Sequence, residues 1–206
     1  MNGVYAMSAI TALTAQNTTG VRAIQESTPE FLKQQLDAVF EDIFPDAVKI
    51  GMVASSELIC VIADRLAYHK AKNVVVDPVM VATSCSSLMK TDAVQTLVEK
   101  LLPIATLVTP NIPEMEALTS MPPSTAEQKR AAAHYLIDLG ARAVLLKGGH
   151  EQGDAKTDIL YRNTAEGISE SYFSHRTIST RNIHGTGCTL SSAIAAYVAR
   201  GFSLEE

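Results

Sequence analysis

The stretch "NVVVDPV", residues 73–79, has the strongest strand character in the chain. Three consecutive valines favour an extended backbone, and a short uninterrupted apolar run is typical of a strand buried on both faces of a sheet. The Asp-Pro pair ends the run, because proline has no amide hydrogen to donate to a neighbouring strand. Strands that are covered on both faces occur in parallel sheets flanked by helices, so this stretch predicts an α/β protein.

Similar apolar runs alternate with helical patterns on both sides of this stretch. The other predicted strands are "AVKIGM" (47–52), "TLVTPN" (106–111) and "AVLLKGGH" (143–150). Helices are predicted to begin at Thr28–Pro29, after Ser56, at Thr91, at a capping box formed by Ser124 and Glu127, and before Cys188. Two further runs flank residues 163–167 and predict a β-hairpin. This order predicts a mostly parallel central sheet with helices on both faces and a β-hairpin at one edge.

The composition narrows the classes of function. The 206 residues, 47% hydrophobic and 19% charged, fit one domain over residues 1–206 with a large core. A net charge of −5 without a Lys/Arg stripe argues against nucleic acid as a partner, and the sequence has neither a membrane-spanning run nor a signal-peptide pattern. Three unevenly spaced cysteines argue against a disulfide framework and favour a reducing cytoplasm; they are Cys60, Cys85 and Cys188.

The stretch "HGTGCTLSSAIAAYVARG", residues 184–201, joins a glycine turn to a helical pattern. Apolar residues at helical spacing predict its buried face, namely Leu190, Ile194, Tyr197 and Val198. The start of a helix has unpaired amide groups and a partial positive charge, so the turn Gly185-Thr186-Gly187 suits an anion. A thiol there is expected to lose its proton more readily than a free thiol, which makes Cys188 a candidate reactive group. The alternative is a glycine cap with a small cysteine packed against the sheet.

Distinctive residues also follow the predicted strands, at the carboxyl ends where open α/β sheets bind ligands. They are Met52, Asp77, Val79, Asn111, Glu114 and Lys147. Two carboxylates, a lysine and an anion-binding helix start suit phosphoryl transfer: carboxylates hold Mg²⁺, lysine neutralises phosphate and amides bind the transferring group.

Each of these residues has an ordinary structural alternative. Asp77 followed by proline closes a strand, Asn111 with Glu114 caps a helix, and Lys147 is a solvated strand end. No G-x-x-x-x-G-K-[ST] or G-x-G-x-x-G motif occurs, so neither a P-loop nor a dinucleotide-binding fold is predicted.

Six motifs in this order resemble the bacterial hydroxymethylpyrimidine and phosphomethylpyrimidine kinases of thiamine biosynthesis, which belong to the ribokinase superfamily. They are "SAITALTAQNTTGV", "KIGM", "VVVDPVM", "VTPNIPE", "VLLKGGH" and "HGTGCTLSSAIAA". The resemblance implies a ribokinase-like three-layer αβα fold, ATP and Mg²⁺ as cofactors, and a homodimer, which agrees with the cytoplasmic location that the cysteine usage favours. It implies phosphorylation of 4-amino-5-hydroxymethyl-2-methylpyrimidine to its monophosphate and then to the diphosphate.

The resemblance also implies roles for individual residues. Cys188 is the general base, and the amides of Gly185, Thr186, Gly187 and Cys188 form the anion hole. Gln16 in "TAQNT" hydrogen-bonds the aminopyrimidine, and Met52 and Val79 pack on its ring. Asp77, Asn111 and Glu114 serve Mg²⁺ and phosphates, partly through water, and Lys147 faces the nucleotide phosphates.

The chain departs from the family pattern at three places. Family members have an earlier strand with a glycine-rich turn, and a further helix after the last motif, so truncation at both ends is expected. Cys85 stands where glycine is usual. Two alternatives stay open on the sequence: a pyridoxal kinase, which shares the cysteine-bearing turn, and a non-catalytic fragment that binds ligand without turnover.

Overall fold

The computed structural model of the chain describes residues 2–18, 20–80, 91–149, 154–178, 180 and 185–206. Two strands form a separate antiparallel hairpin, β1 (Ala12–Asn17) and β2 (Gly20–Glu26). Six more form the main sheet in chain order: β3 (Val48–Ile50), β4 (Val74–Val76), β5 (Leu107–Val108), β6 (Ala143–Leu146), β7 (Ala155–Thr164) and β8 (Gly167–Arg176). Neighbouring strands from β3 to β6 are parallel, whereas β7 and β8 are antiparallel and form the predicted edge hairpin.

The helices of the described residues connect these strands. They are α1 (Pro29–Asp42), α2 (Ser56–Tyr68), α3 (Thr91–Lys100), α4 (Ile112–Thr119), α5 (Ala126–Asp138) and α6 (Thr186–Ala199). All five predicted helix starts are confirmed to within one residue. At the first of them, Thr28 caps α1 by accepting a hydrogen bond from the Phe31 amide at 3.2 Å.

Side chains on both faces of the parallel part of the main sheet are buried. Val74 and Val76 belong to a core shared with α1, α2, α3, α4 and α5, whereas Val75 between them packs in a second core with Ala195 of α6. This alternation follows from the two-residue period of a strand. Helices therefore cover both faces of a mostly parallel sheet, and the predicted three-layer α/β fold is confirmed.

The buried face of α6 differs from the prediction. Ser191 and Ala195 are buried, whereas Leu190 is 36% exposed and Tyr197 is 44% exposed. Leu190 and Tyr197 lie on one stripe of the helix, and the small residues Ser191 and Ala195 lie on the neighbouring stripe. The small side chains face the sheet and let the helix pack closer to it. The prediction that Leu190 and Tyr197 face the core was therefore wrong.

Two local predictions also need correction. The capping box of α5 is formed by Thr125 and Gln128, not by Ser124 and Glu127: the Thr125 amide donates to Gln128 Oε1 at 3.0 Å, and the Gln128 amide donates to Thr125 Oγ1 at 3.2 Å. The hairpin of β1 and β2 was not predicted, because most of its side chains are exposed on both faces and show no buried alternation. No helix within the described ranges is long and apolar enough to cross a membrane.

Candidate active site

Parallel pairing brings the predicted polar residues to one edge of the main sheet. The Asp77 amide donates to the Ile50 carbonyl at 2.9 Å, and the Lys147 amide donates to the Pro110 carbonyl at 2.9 Å. Asn111 and Lys147 also form a parallel bridge beyond β5 and β6. The carboxyl ends of these strands therefore lie side by side, as expected for the ligand-binding edge of an α/β sheet.

The Asp77 carboxylate is the centre of a buried polar network and is 1% exposed. Its Oδ1 accepts hydrogen bonds from Lys147 Nζ at 3.0 Å and from Thr109 Oγ1 at 3.1 Å. Its Oδ2 accepts one from Ser191 Oγ of α6 at 3.0 Å. A second ammonium group, Lys49 Nζ, lies 3.9 Å from Oδ2. Asp77 thus links the ends of β5 and β6 and helix α6 to the end of β4. Its role is therefore larger than closing a strand before Pro78.

Lys147 lies between two carboxylates. Besides the contact with Asp77, its Nζ is 3.7 Å from Glu114 Oε2, and its side chain is only 13% exposed. Burial raises the pKa of Glu114, and the positive charge of Lys147 opposes this effect. The alternative of a solvated strand end was wrong, because Lys147 is a largely buried cation with charged partners.

The helix-capping interpretation of Asn111 and Glu114 is confirmed. The Glu114 amide donates to Asn111 Oδ1 at 2.9 Å, and the Asn111 amide donates to Glu114 Oε2 at 2.8 Å. This reciprocal pair satisfies two amide groups at the start of α4. It also holds the Glu114 carboxylate next to Lys147.

The start of α6 lies against the Lys147 ammonium group. Gly185 caps the helix with φ 78°, a left-handed conformation that favours glycine. A Cβ on Gly187 would lie 3.3 Å from Lys147 Nζ, so the glycine permits this approach. Cys188 is the third residue of α6 and is exposed, so the alternative of a cysteine packed against the sheet was wrong. The first turn of α6, which contains Cys188, therefore begins beside the Lys147 ammonium group, an arrangement that suits an anion with a nearby proton acceptor.

Two of the three predicted ring-binding residues, Met52 and Val79, lie near this edge, whereas Gln16 lies on the separate hairpin. Val79 is half-buried two residues after Asp77, and Met52 is half-buried two residues after β3. The Met52 carbonyl accepts a hydrogen bond from Thr11 Oγ1 at 2.8 Å, which anchors the base of the β1–β2 hairpin beside it. Gln16 is exposed on β1 of that hairpin. Their contacts with a pyrimidine stay predictions.

The carboxylates of Asp77 and Glu114 do not fit direct coordination of Mg²⁺ as they stand. Both face Lys147, and Asp77 already accepts hydrogen bonds from three side chains. Among the residues that the structure describes, no group of three or more His, Cys, Asp and Glu side chains could hold a metal ion. Contact with Mg²⁺ through water stays a prediction.

Sequence reasoning missed three members of the network: Lys49, Thr109 and Ser191. Each is a polar residue within or directly after an apolar segment, and this is the signal that could have identified them. Lys49 separates two apolar residues of β3, and Ser191 replaces an apolar residue on the buried face of α6. Cys85, the expected departure from the family pattern, lies outside the described residues.

Comparison with known proteins identifies the family. A family model described as phosphomethylpyrimidine kinase matches residues 1–206. The hydroxymethylpyrimidine/phosphomethylpyrimidine kinase of Bacillus subtilis is 43% identical over 204 residues, which are 98% of this chain and 74% of that protein. The thiamine biosynthesis bifunctional protein ThiED of Geobacter sulfurreducens is 50% identical over 204 residues, which are 99% of this chain but only 41% of that protein.

Solved structures agree with the sequence comparison. The crystal structure of phosphomethylpyrimidine kinase from Clostridium difficile 630 has a TM-score of 0.83 and 40% identity, covering 98% of this chain and 81% of that chain. Pyridoxal kinase from Staphylococcus aureus, in complex with AMP-PCP and pyridoxal, has a TM-score of 0.86 but 29% identity, covering 98% of this chain and 72% of that chain. The pyridoxal kinase shares the fold and is more distant in sequence. The chain belongs to the phosphomethylpyrimidine kinase family of small-molecule kinases, as its motifs predicted.

Proposed function

We propose that this chain transfers the γ-phosphoryl group of ATP to 4-amino-5-hydroxymethyl-2-methylpyrimidine and then to the resulting monophosphate. The observation that carries the proposal is the exposed Cys188 thiol at the start of α6, beside the buried Lys147–Asp77 pair. The name of the Bacillus subtilis relative includes both acceptors, the hydroxymethyl compound and the phosphomethyl compound.

The nucleotide phosphates are proposed to bind between Lys147 and the amides of Gly185, Thr186, Gly187 and Cys188. Gly185 caps α6 and the other three residues open its first turn, where helix amides point out of the helix and the partial positive charge favours phosphate oxygens. The Lys147 ammonium group adds a full positive charge at the same place. Mg²⁺ is proposed to accompany the nucleotide and to reach Asp77 and Glu114 through water.

The first transfer requires a proton acceptor, and Cys188 Sγ is proposed to be this group. As a thiolate it takes the proton of the substrate hydroxyl while the hydroxyl oxygen forms a bond to the γ-phosphorus. The bond between the γ-phosphorus and the β–γ bridging oxygen breaks, and ADP leaves with that electron pair. Gln16 is proposed to hydrogen-bond the aminopyrimidine, with Met52 and Val79 packed on its ring.

The second transfer does not require a base to remove a proton from its acceptor. Its acceptor is a phosphate monoester, whose second pKa is about 6, so its oxygens are already ionised at pH 8. Replacement of Cys188 is therefore expected to affect the two reactions unequally. Cys188→Ala should lower kcat of the first reaction by about 10²–10⁴-fold and that of the second reaction by much less.

This prediction is tested by following each product separately with Mg-ATP at pH 8. Cys60→Ala, a cysteine substitution in α2, is the matched control and should leave both rates unchanged. Equal rates for wild type and Cys188→Ala in the first reaction would remove Cys188 from the mechanism. An equal loss in both reactions would show that Cys188 does not act as a base.

Parallel reactions with pyridoxal separate the alternatives. Preference for pyridoxal would assign the chain to the activity named for the Staphylococcus aureus structure, although the 40–43% identity with pyrimidine kinases favours the pyrimidine. Ligand binding without turnover would make the chain a non-catalytic binding protein. A single domain, a homodimer and a cytoplasmic location also stay proposals, and sedimentation of the purified chain tests the dimer.

A further inference from the structure

Lys49 is a charged residue on a strand whose neighbouring side chains are apolar. Val48 and Ile50 pack in the core formed with α1 to α5, and Lys49 between them points to the opposite face, towards α6. Its partner in β4 is Val75, which packs with Ala195 of α6. Lys49 also lines, together with Ser192 and Ala195, a cavity of about 830 Å³. Its side chain therefore extends between β3 and α6.

The ammonium group of Lys49 reaches the end of the sheet. A Cβ on Gly51 would lie 2.5 Å from Lys49 Nζ, so this glycine leaves the space that the ammonium group occupies. The side chain of Lys49 is 20% exposed, and its Nζ lies 3.9 Å from Asp77 Oδ2. Two lysines thus approach the same carboxylate, one at each oxygen.

The two lysines stand in different relations to Asp77. Lys147 Nζ donates a hydrogen bond to Oδ1 at 3.0 Å, whereas Lys49 is beyond hydrogen-bond distance. In the proposed reaction Lys147 turns to the nucleotide phosphates and loses part of its contact with Asp77. A buried carboxylate without a cationic partner is strongly unfavourable, so this movement needs a compensating charge. Lys49 is the cation placed to supply it.

We propose that Lys49 is a positioning residue for phosphoryl transfer. It balances the charge of Asp77 when Lys147 engages the nucleotide phosphates, and so makes Lys147 available to them. This inference rests on the proposed function, in which Lys147 binds phosphate. It predicts that Lys49 acts on nucleotide affinity through Asp77 and has no part in binding the acceptor ring.

The test compares Lys49→Met, which keeps the length of the side chain and removes its charge, with Lys49→Arg, which keeps a charge. Lys72→Met, at an exposed position between α2 and β4, is the matched control. Calorimetry measures the Kd of AMP-PCP, and steady-state kinetics measures KM and kcat for ATP and for the pyrimidine. Lys49→Met should weaken AMP-PCP binding and lower kcat/KM for ATP by about 10- to 100-fold, with the KM for the pyrimidine unchanged. Lys49→Arg should recover most of the loss, and Lys72→Met should match wild type.

A double-mutant cycle tests the route of the effect. In an Asp77→Asn background no buried charge needs balancing, so Lys49→Met should cause little further loss. Additive losses would overturn the role of Asp77 as the intermediary. The inference would be overturned if Lys49→Met bound AMP-PCP as tightly as wild type, or if Lys49→Arg were as impaired as Lys49→Met. In either case, turnover by the wild-type protein would leave the proposed function intact. Wild type that neither binds AMP-PCP nor turns over would overturn the proposed function itself, and the inference with it.

Discussion

The hydroxyl group of Ser191 joins α6 to the buried carboxylate of Asp77. Its side chain is fully buried, and Oγ lies 3.0 Å from Asp77 Oδ2. The carbonyls of Gly187 and Cys188 are at 3.1 Å and 3.2 Å, but a hydroxyl has one proton and an ionised carboxylate is the stronger acceptor. Ser191→Ala therefore removes a donor from a carboxylate that solvent does not reach.

The expected loss of stability follows from two opposing effects. A hydrogen bond to a charged group contributes about 1.5 to 3 kcal/mol. Alanine has a higher helix propensity than serine, by about 0.5 kcal/mol, and this offsets part of the loss. Ser191→Ala is therefore expected to lower the free energy of unfolding by about 1 to 2.5 kcal/mol.

Urea unfolding at pH 7, followed by circular dichroism, measures this difference. Ser192→Ala is the matched control, because Ser192 is exposed and its Oγ donates to the Cys188 carbonyl of the same helix, at 2.7 Å. The control gains the same helix propensity without losing a buried partner, so it should be as stable as wild type or slightly more stable. If Ser191→Ala were as stable as Ser192→Ala, the Asp77 network would not stabilise the fold as argued.

Two further substitutions probe other parts of the fold. A hydrogen bond from His69, with help from Lys33 and Arg65, lowers the pKa of Asp37 to about 2. Because this folded-state pKa lies below the unfolded value, Asp37 stabilises the protein above about pH 4 and loses this effect as the pH falls towards 2. Asp37→Asn should therefore lower the free energy of unfolding in urea by about 1 kcal/mol at pH 7, allowing for solvent screening, and by progressively less below pH 4. A Cβ on Gly148 would lie 2.1 Å from the Thr157 carbonyl oxygen. Gly148→Ala should therefore lower the free energy of unfolding by about 2 kcal/mol or more, and Tm by at least about 4 °C. Gly149→Ala is the control, because a Cβ on Gly149 has no neighbour within 4 Å, and it should leave Tm unchanged.

Much of the main sheet was predictable, because its elements have local signals. The valines of β4 are all buried, as a continuous apolar run predicts. Thr28 followed by proline marks the start of α1, and the expected cap is present. The hairpin of β1 and β2 has no such signal, because its side chains are largely exposed and its position depends on an anchor at Met52.

The site was predictable as a set of residues but not as a network. The motifs named Cys188, Lys147, Asp77 and Glu114, since polar residues after buried strands stand out in the sequence. They did not reveal that Lys147 lies between the two carboxylates or that Ser191 of α6 donates to Asp77. These contacts join residues that are 33 to 114 positions apart, and local patterns carry no information about such distances.

By itself, the sequence determined the family, the α/β class, the alternation of strands and helices along the chain and the candidate residues. Each of these depends on side-chain type, on spacing within a segment and on the order of segments along the chain. Only the tertiary structure decided which face of α6 is buried, which partners Asp77 has and how Lys49 approaches it. Those outcomes depend on the register of the parallel strands and on how closely a helix packs on them, and both are set by the whole core together.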